Sequence, residues 1–296
     1  MRIAKGRAAE MASDERAGDD GAGGGSARGN GTRRNGARDD RPQVLVSTLD
    51  RGLQLLQLFR GTQDGLSLTE MTRRSGFEKS AVQRLAYTLH ALGYLDRDDK
   101  TRRYRPGLKM LDFAYAYLIH DRLLERAMPR MVEVSRSLNT TVNLSVLDGR
   151  DMVYKARMPH SAMAFDGTLI GVRRPAAVTS GGQVIAAFSD DDVLETMLSG
   201  GLPGPLTAFT CTDEAEVRAR VAQARRDGFV ISNQQLMLQE LVVAAPVIGP
   251  NRRAIAAISM PVYMPEWNEA RVREELVPVI TETARAISSI ISQDGL

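Results

Sequence analysis

Gly76-Phe77-Glu78-Lys79-Ser80-Ala81-Val82-Gln83-Arg84-Leu85-Ala86-Tyr87-Thr88-Leu89-His90-Ala91-Leu92-Gly93 is the stretch whose reading decides the fold. Val82, Leu85, Leu89 and Leu92 recur three or four residues apart, which predicts a helix over 79–92 with one apolar stripe. Its other side carries Ser80, Gln83, Arg84 and Tyr87, with Lys79 at the N-terminal end. Gly76 and Gly93 punctuate the two ends, as glycine does where a helix must stop or turn.

Working outward, STLDRGLQLLQLFR (47–60) places Leu49, Leu53, Leu56 and Phe59 about one turn apart, with Ser47 or Thr48 as N-cap. After the GTQDG turn, Ser67 caps a short second helix bearing Leu68, Met71 and Thr72 and ending at Gly76. Beyond Gly93, residues 94–96 and 103–105 read as two short strands joined by the charged turn RDDKTR. Helix, helix, tight turn, helix and hairpin is the order of a winged helix-turn-helix.

That order gives the exposed residues a use. One helix fits B-DNA's major groove, and Gln or Arg near its start makes bidentate contacts to base edges. Arg73 and Arg74 on the second helix, and Arg97, Lys100, Arg102 and Arg103 on the wing, stand where flanking phosphates or a minor groove would lie. Residues 44–106 hold eleven basic against seven acidic side chains, whereas the chain beyond is mildly acidic. A basic module joined to a different one is the layout expected of a nucleic-acid binder.

Residues 1–42, rich in Gly, Arg, Asp, Ala and Ser, have too few aliphatic side chains to offset ordering entropy and read as a disordered tail. A helical stretch over 107–138 follows the wing, and Pro129 is expected to break or kink it. From 140 onward the pattern is mixed. TVNLSVLDG and DMVYKARM form a hairpin turning at Asp148-Gly149, and strands recur at 229–232, 242–248 and 255–263. Helices fill 181–188, 190–198, 213–227 and 268–292, giving an α+β domain.

The single cysteine, Cys211, excludes an intramolecular disulfide and a cysteine-rich zinc site. His90, His120 and His160 show no metal-ligand spacing. No stretch nears the roughly eighteen apolar residues of a membrane span, and no signal-peptide h-region opens the chain. The expectation is a cytoplasmic, nucleoid-associated protein with no membrane partner, no metal and no cofactor. GxSxG, HExxH, P-loop and Rossmann motifs are missing, so catalysis is not expected. Two other readings stay open here: a winged-helix protein-interaction module, and an enzyme acting on a small carboxylate.

The residues also match a family. STLDRGLQLLQLF, LSLTEM, GFEKSAVQRLAYTLHALGYL and YRPG, then TVNLSVLDGRDMVYKAR, RRPAAVTSGGQVIAAF, RDGFVISNQQLMLQELVVAAPV and AAISM, resemble IclR-type bacterial regulators over 44–290. The resemblance implies a winged helix-turn-helix DNA-binding domain (43–106), a linker helix used in dimerisation (107–121) and a GAF-like effector-binding domain (122–296). It implies binding to palindromic operators as a homodimer or dimer of dimers, under a small organic acid. RPAAVTSGG and YAYL look closest to the branch that regulates aromatic-acid and β-ketoadipate catabolism. Carried over by position, the effector contacts are Ser180, Gly181, Ser232, Asn233, Val242 and Ser259. This chain departs from the pattern with Asn233, Gln234 and Gln235 in place of acids, and Gln239 in place of glycine. With Val242, those departures favour a larger or aromatic acid.

Overall fold

The computed structural model describes residues 45–159 and 170–294; the expected tail at 1–42 and His160 lie outside them. Three helices come first, α1 (Ser47–Gln57), α2 (Leu68–Ser75) and α3 (Lys79–Ala91), followed by the hairpin β1 (Leu95–Arg97) and β2 (Tyr104–Pro106). Ser67 and Glu70 close a capping box at the start of α2, and Gly76 ends that helix at φ +70°. These two local devices fix the tight turn into α3. Leu55, Phe59, Met71, Val82, Ala86, Leu95 and Tyr104 fill the small core. The expected stripes hold only in part. Leu49, Leu53 and Leu92 are exposed, because the three-helix contact takes up Leu55 and Ala86 instead.

Next come α4 (Met110–Ile119) and α5 (Arg122–Leu138). The break falls at His120–Asp121, where the Asp121 side chain accepts the Leu124 amide and caps α5. Helix α5 runs through Pro129, so the break expected there lies two turns earlier, where a cap can start a new helix.

A six-stranded antiparallel sheet makes the rest, in the order β5-β4-β3-β8-β7-β6. Its strands are β3 (Val142–Asp148), β4 (Asp151–Met158), β5 (Arg173–Pro175), β6 (Val230–Asn233), β7 (Glu240–Ile248) and β8 (Ala254–Tyr263). The β3–β4 loop is Gly149-Arg150, with Gly149 at φ +60°. Strand β5 escapes the alternation pattern because it is three residues long and carries two arginines. One face packs α5 and α10 (Val277–Asp294) through Met131, Leu144, Val243, Ile258, Leu276 and Ile280. The other packs α6 (Ser180–Ala187), α7 (Asp191–Leu198) and α8 (Glu214–Asp227) through Val184, Met197, Val217, Val221, Ala244 and Ala257. A short α9 (Glu269–Arg271) and a π turn lead into α10. No helix among the described residues is long and apolar enough to cross a membrane.

Candidate nucleic-acid interface and ligand cavity

Helix α3 buries Val82 and Ala86, and so turns Lys79, Ser80, Gln83, Arg84 and Tyr87 outward; Tyr87 is 70% exposed. Arg73 and Arg74 close α2 and are exposed beside it. The wing tip is an Asp98-centred turn whose carboxylate accepts the amides of Lys100 (3.0 Å) and Thr101 (2.7 Å). These bonds hold the Asp98 carboxyl below the usual carboxylate range and leave Lys100 and Arg102 exposed at the tip.

Arg103 and Arg97 are placed differently from the phosphate role expected of them. Arg103 turns inward, donating to the carbonyls of Asp64 (3.0 Å) and Gly65 (2.9 Å) and pairing with Glu70 at 2.9 Å. It ties the wing to the first turn of α2. The Ser67 bonds and Arg103 together hold the Glu70 carboxyl down to about 2. Arg97 is half-buried, with its guanidinium carbon 5.5 Å from the Tyr104 ring centroid.

The cavity lies on the α6 side of the sheet and encloses about 320 Å³, at the small end of ligand sites. Tyr154 and Arg157 of β4, Asn143 of β3, Arg173 and Arg174 of β5, and Thr179 and Ser180 at the start of α6 form its basic end. Val242 and Pro261 form an apolar floor, with Ser232 and Glu240 beside it and Leu206, Gln235, Leu236 and Met237 above. Arg173 is paired with Asp148 and, at 3.4 Å, with Asp151, which holds its charge firmly. Thr179 caps α6, accepting the Gly182 amide at 2.9 Å and donating to the Ala176 carbonyl at 2.9 Å.

The cover is stapled by Gln235. Its amide donates to the carbonyls of Phe209 (2.6 Å) and Asn233 (3.1 Å), and its oxygen accepts the Cys211 amide at 2.8 Å. Thr207 and Thr210 donate to the carbonyls of Gln234 and Gln235. Cys211 is buried, donates to the Asp213 carbonyl, and burial pushes its thiol up, which is the reverse of a reactive thiolate.

Of the six effector positions expected from sequence, Ser180, Ser232 and Val242 line the cavity and three do not. Gly181 faces the sheet: a Cβ there would lie 3.1 Å from Met152 Cε and 3.3 Å from Ser145 Oγ. Asn233 is exposed and borders the groove beside α8. Ser259 is buried opposite Asn143, one pleat from the wall residue Pro261. Sequence reasoning missed Asn143, Tyr154, Arg157, Glu240 and Gln235. Arg173 and Arg174, which open the RRPAAVTSGG run, are also half-buried wall residues. Strand alternation would have offered Asn143; Tyr154 and Arg157 break it, being three apart on one wall.

Comparison with known proteins finds two family matches along the chain. Residues 48–99 match the IclR helix-turn-helix domain, and 115–289 match the C-terminal part of bacterial transcriptional regulator IclR. The Escherichia coli regulator XynR is 27% identical over 82% of this chain and 98% of its own. The Pca regulon regulatory protein of Pseudomonas putida is 27% identical over 81% and 82%. An Acinetobacter baylyi activator of p-hydroxybenzoate hydroxylase is 26% identical over 85% and 94%. A transcriptional regulator of Rhodococcus sp. RHA1 superposes with a TM-score of 0.72 at 28% identity, over 84% of this chain and all of that one. A homologue from Microbacterium hydrocarbonoxydans, solved with 4-hydroxybenzoate, shares the fold at TM-score 0.68 and 23% identity, over 83% and 99%.

Proposed function

Because the chain belongs to the IclR family of DNA-binding, effector-controlled transcriptional regulators, we propose that a dimer reads a palindromic operator and that a small, aromatic organic acid in the cavity sets its affinity. The observation that carries this reading is the basic end of the cavity. Arg157, Arg174 and the first turn of α6 meet there, and backbone amides and dipole at a helix N-terminus favour an anion. Val242, Pro261, Leu206, Leu236 and Met237 supply apolar surface for a ring. That two relatives are named for the Pca regulon and for p-hydroxybenzoate hydroxylase supports the aromatic class.

On this reading 43–106 binds DNA, 107–121 is the linker and 122–296 binds the effector. Lys79, Ser80, Gln83, Arg84 and Tyr87 read bases, while Arg73, Lys100 and Arg102 hold phosphates. Dimerisation is supported by α4, whose Leu111, Phe113, Tyr115, Tyr117 and Ile119 are each at least half exposed. A dimer would set two α3 helices about one turn of DNA apart, in the cytoplasm on nucleoid DNA. The test is selection of binding sites from a random DNA pool, then titration with benzoate, 4-hydroxybenzoate, pyruvate and glyoxylate. Selected palindromes whose affinity shifts with the aromatic acids support the proposal. Tighter response to the two- and three-carbon acids refutes the aromatic class, and a salt-insensitive interaction without sequence preference refutes the DNA reading.

A further inference from the structure

Strand β4 serves both the cavity and the α4–α5 junction, and one irregularity lets it do so. Leu144 pairs with Ala156 while Ser145 pairs with Tyr154, so Lys155 is an extra residue without a partner in β3. Such a bulge re-aims a side chain out of the strand alternation. Tyr154 and Arg157 thereby share the cavity wall, whereas Lys155 reaches the helices. Its ammonium pairs with the Asp121 carboxylate and lies 5.3 Å from the Tyr117 ring centroid. Both partners are almost wholly buried, with side-chain exposures of 10% and 6%.

Helix α4 itself joins this junction to the DNA-reading helix. Asp121 caps α5 and Tyr117 lies on α4. At the other end of α4, Phe113 stacks on Tyr94 at 5.7 Å. Lys109, just before the helix, donates to the Leu92 carbonyl at 3.1 Å and sits 5.2 Å over the same ring. Leu92 is the residue that closes α3. A buried ion pair adds little net stability, because desolvation offsets attraction, but it has two discrete states, made and broken. An element with two states is what coupling between distant sites needs.

We infer that the Lys155–Asp121 pair, packed on Tyr117, is the lock that couples the cavity to α4 and through it to α3. Occupancy acts on Tyr154 and Arg157, and the bulge residue between them relays the displacement of β4 to the junction. The inference rests on the cavity being the effector site, but its test uses no effector. In the full-length chain, hydrogen exchange of the α4 amides (110–119) is compared among wild type, Arg157→Met, Asp121→Asn and the double variant. Asn keeps the α5 cap while removing the charge. Arg157→Met is expected to change α4 exchange about fivefold or more, the lower range of inter-site coupling, and to have no such effect in the Asp121→Asn background. Lys155→Arg retains the coupling, and Lys155→Gln replaces Asp121→Asn if that variant does not fold. Equal effects of Arg157→Met in both backgrounds, or none on α4 in the wild type, would overturn the lock. A failure of organic acids to bind counts against the effector reading alone.

Discussion

A Cβ added at Gly182 would lie 2.2 Å from the carbonyl oxygen of Ala176 and 2.7 Å from its carbonyl carbon. A relaxed carbon–oxygen contact needs about 3.3 Å, so the turn at Ala176–Val178 and helix α6 would have to part by roughly 1 Å. Neither can yield as a side chain does, because the obstacle is backbone. Overpacking costs about 1–3 kcal/mol and occasionally more, the upper end applying where backbone is the obstacle, and the helix preference for alanine over glycine returns about 1 kcal/mol. The net loss is about 2–3 kcal/mol, or a fall in melting temperature of roughly 4–12 °C for a domain of this size. At Gly181 the neighbours are Met152 Cε and Ser145 Oγ, the free ends of side chains. There the gain and the crowding nearly cancel, within about 1 kcal/mol of wild type. Thermal unfolding of the two full-length variants is the assay, with organic-acid binding as a second readout, since Thr179 and Ser180 join the turn to α6. If Gly182→Ala melts within about 2 °C of wild type, or Gly181→Ala proves the more damaging, the packing argument fails.

Four further outcomes are expected. Glu70 titrates at about 2 in the folded chain and at 4.5 unfolded, so its stabilisation is complete above 4.5 and is lost as pH falls toward 2. Acid unfolding of the helix-turn-helix followed from pH 5 to pH 2 should therefore flatten in Glu70→Gln, and an unchanged profile would refute the assignment. In DNA binding, Gln83→Ala should cost about 1–3 kcal/mol of base discrimination, whereas Arg102→Ala should weaken all sequences alike and lower the salt slope by about 1. Arg103→Ala should instead lower the melting temperature of the wing; a lost phosphate contact with normal stability would show that the arginine faces DNA. Cys211 should label with iodoacetamide far more slowly in the folded chain than in denaturant at pH 8, because its thiol is buried and its pKa raised; equal rates would contradict that.

Much of the DNA-binding module was legible in the sequence because its determinants are local. Ser67 and Glu70 three residues apart, Gly76 after the last helical turn, and Val82 in the α3 stripe act within a few residues of one another. Local chemistry also placed the β3–β4 hairpin and most of the helices. Which leucines of a stripe are covered was not local: Leu49 and Leu53 look like Leu55 until the other helices are packed. Arg102 and Arg103 are likewise adjacent and chemically identical. One is left exposed at the turn and the other is drawn in by Asp64, Gly65 and Glu70, more than thirty residues earlier.

By itself, the sequence determined the winged helix-turn-helix, the outward face of α3 and a second α+β domain, since period and capping act along the chain. The tertiary structure decided the cavity. Its wall joins Asn143, Arg157, Arg174, Ser180 and Val242 from five elements, brought together by an antiparallel order that runs β4-β3-β8-β7. It also decided that Lys155 leaves the strand toward Asp121, because a bulge shifts the register there, and register exists only between strands.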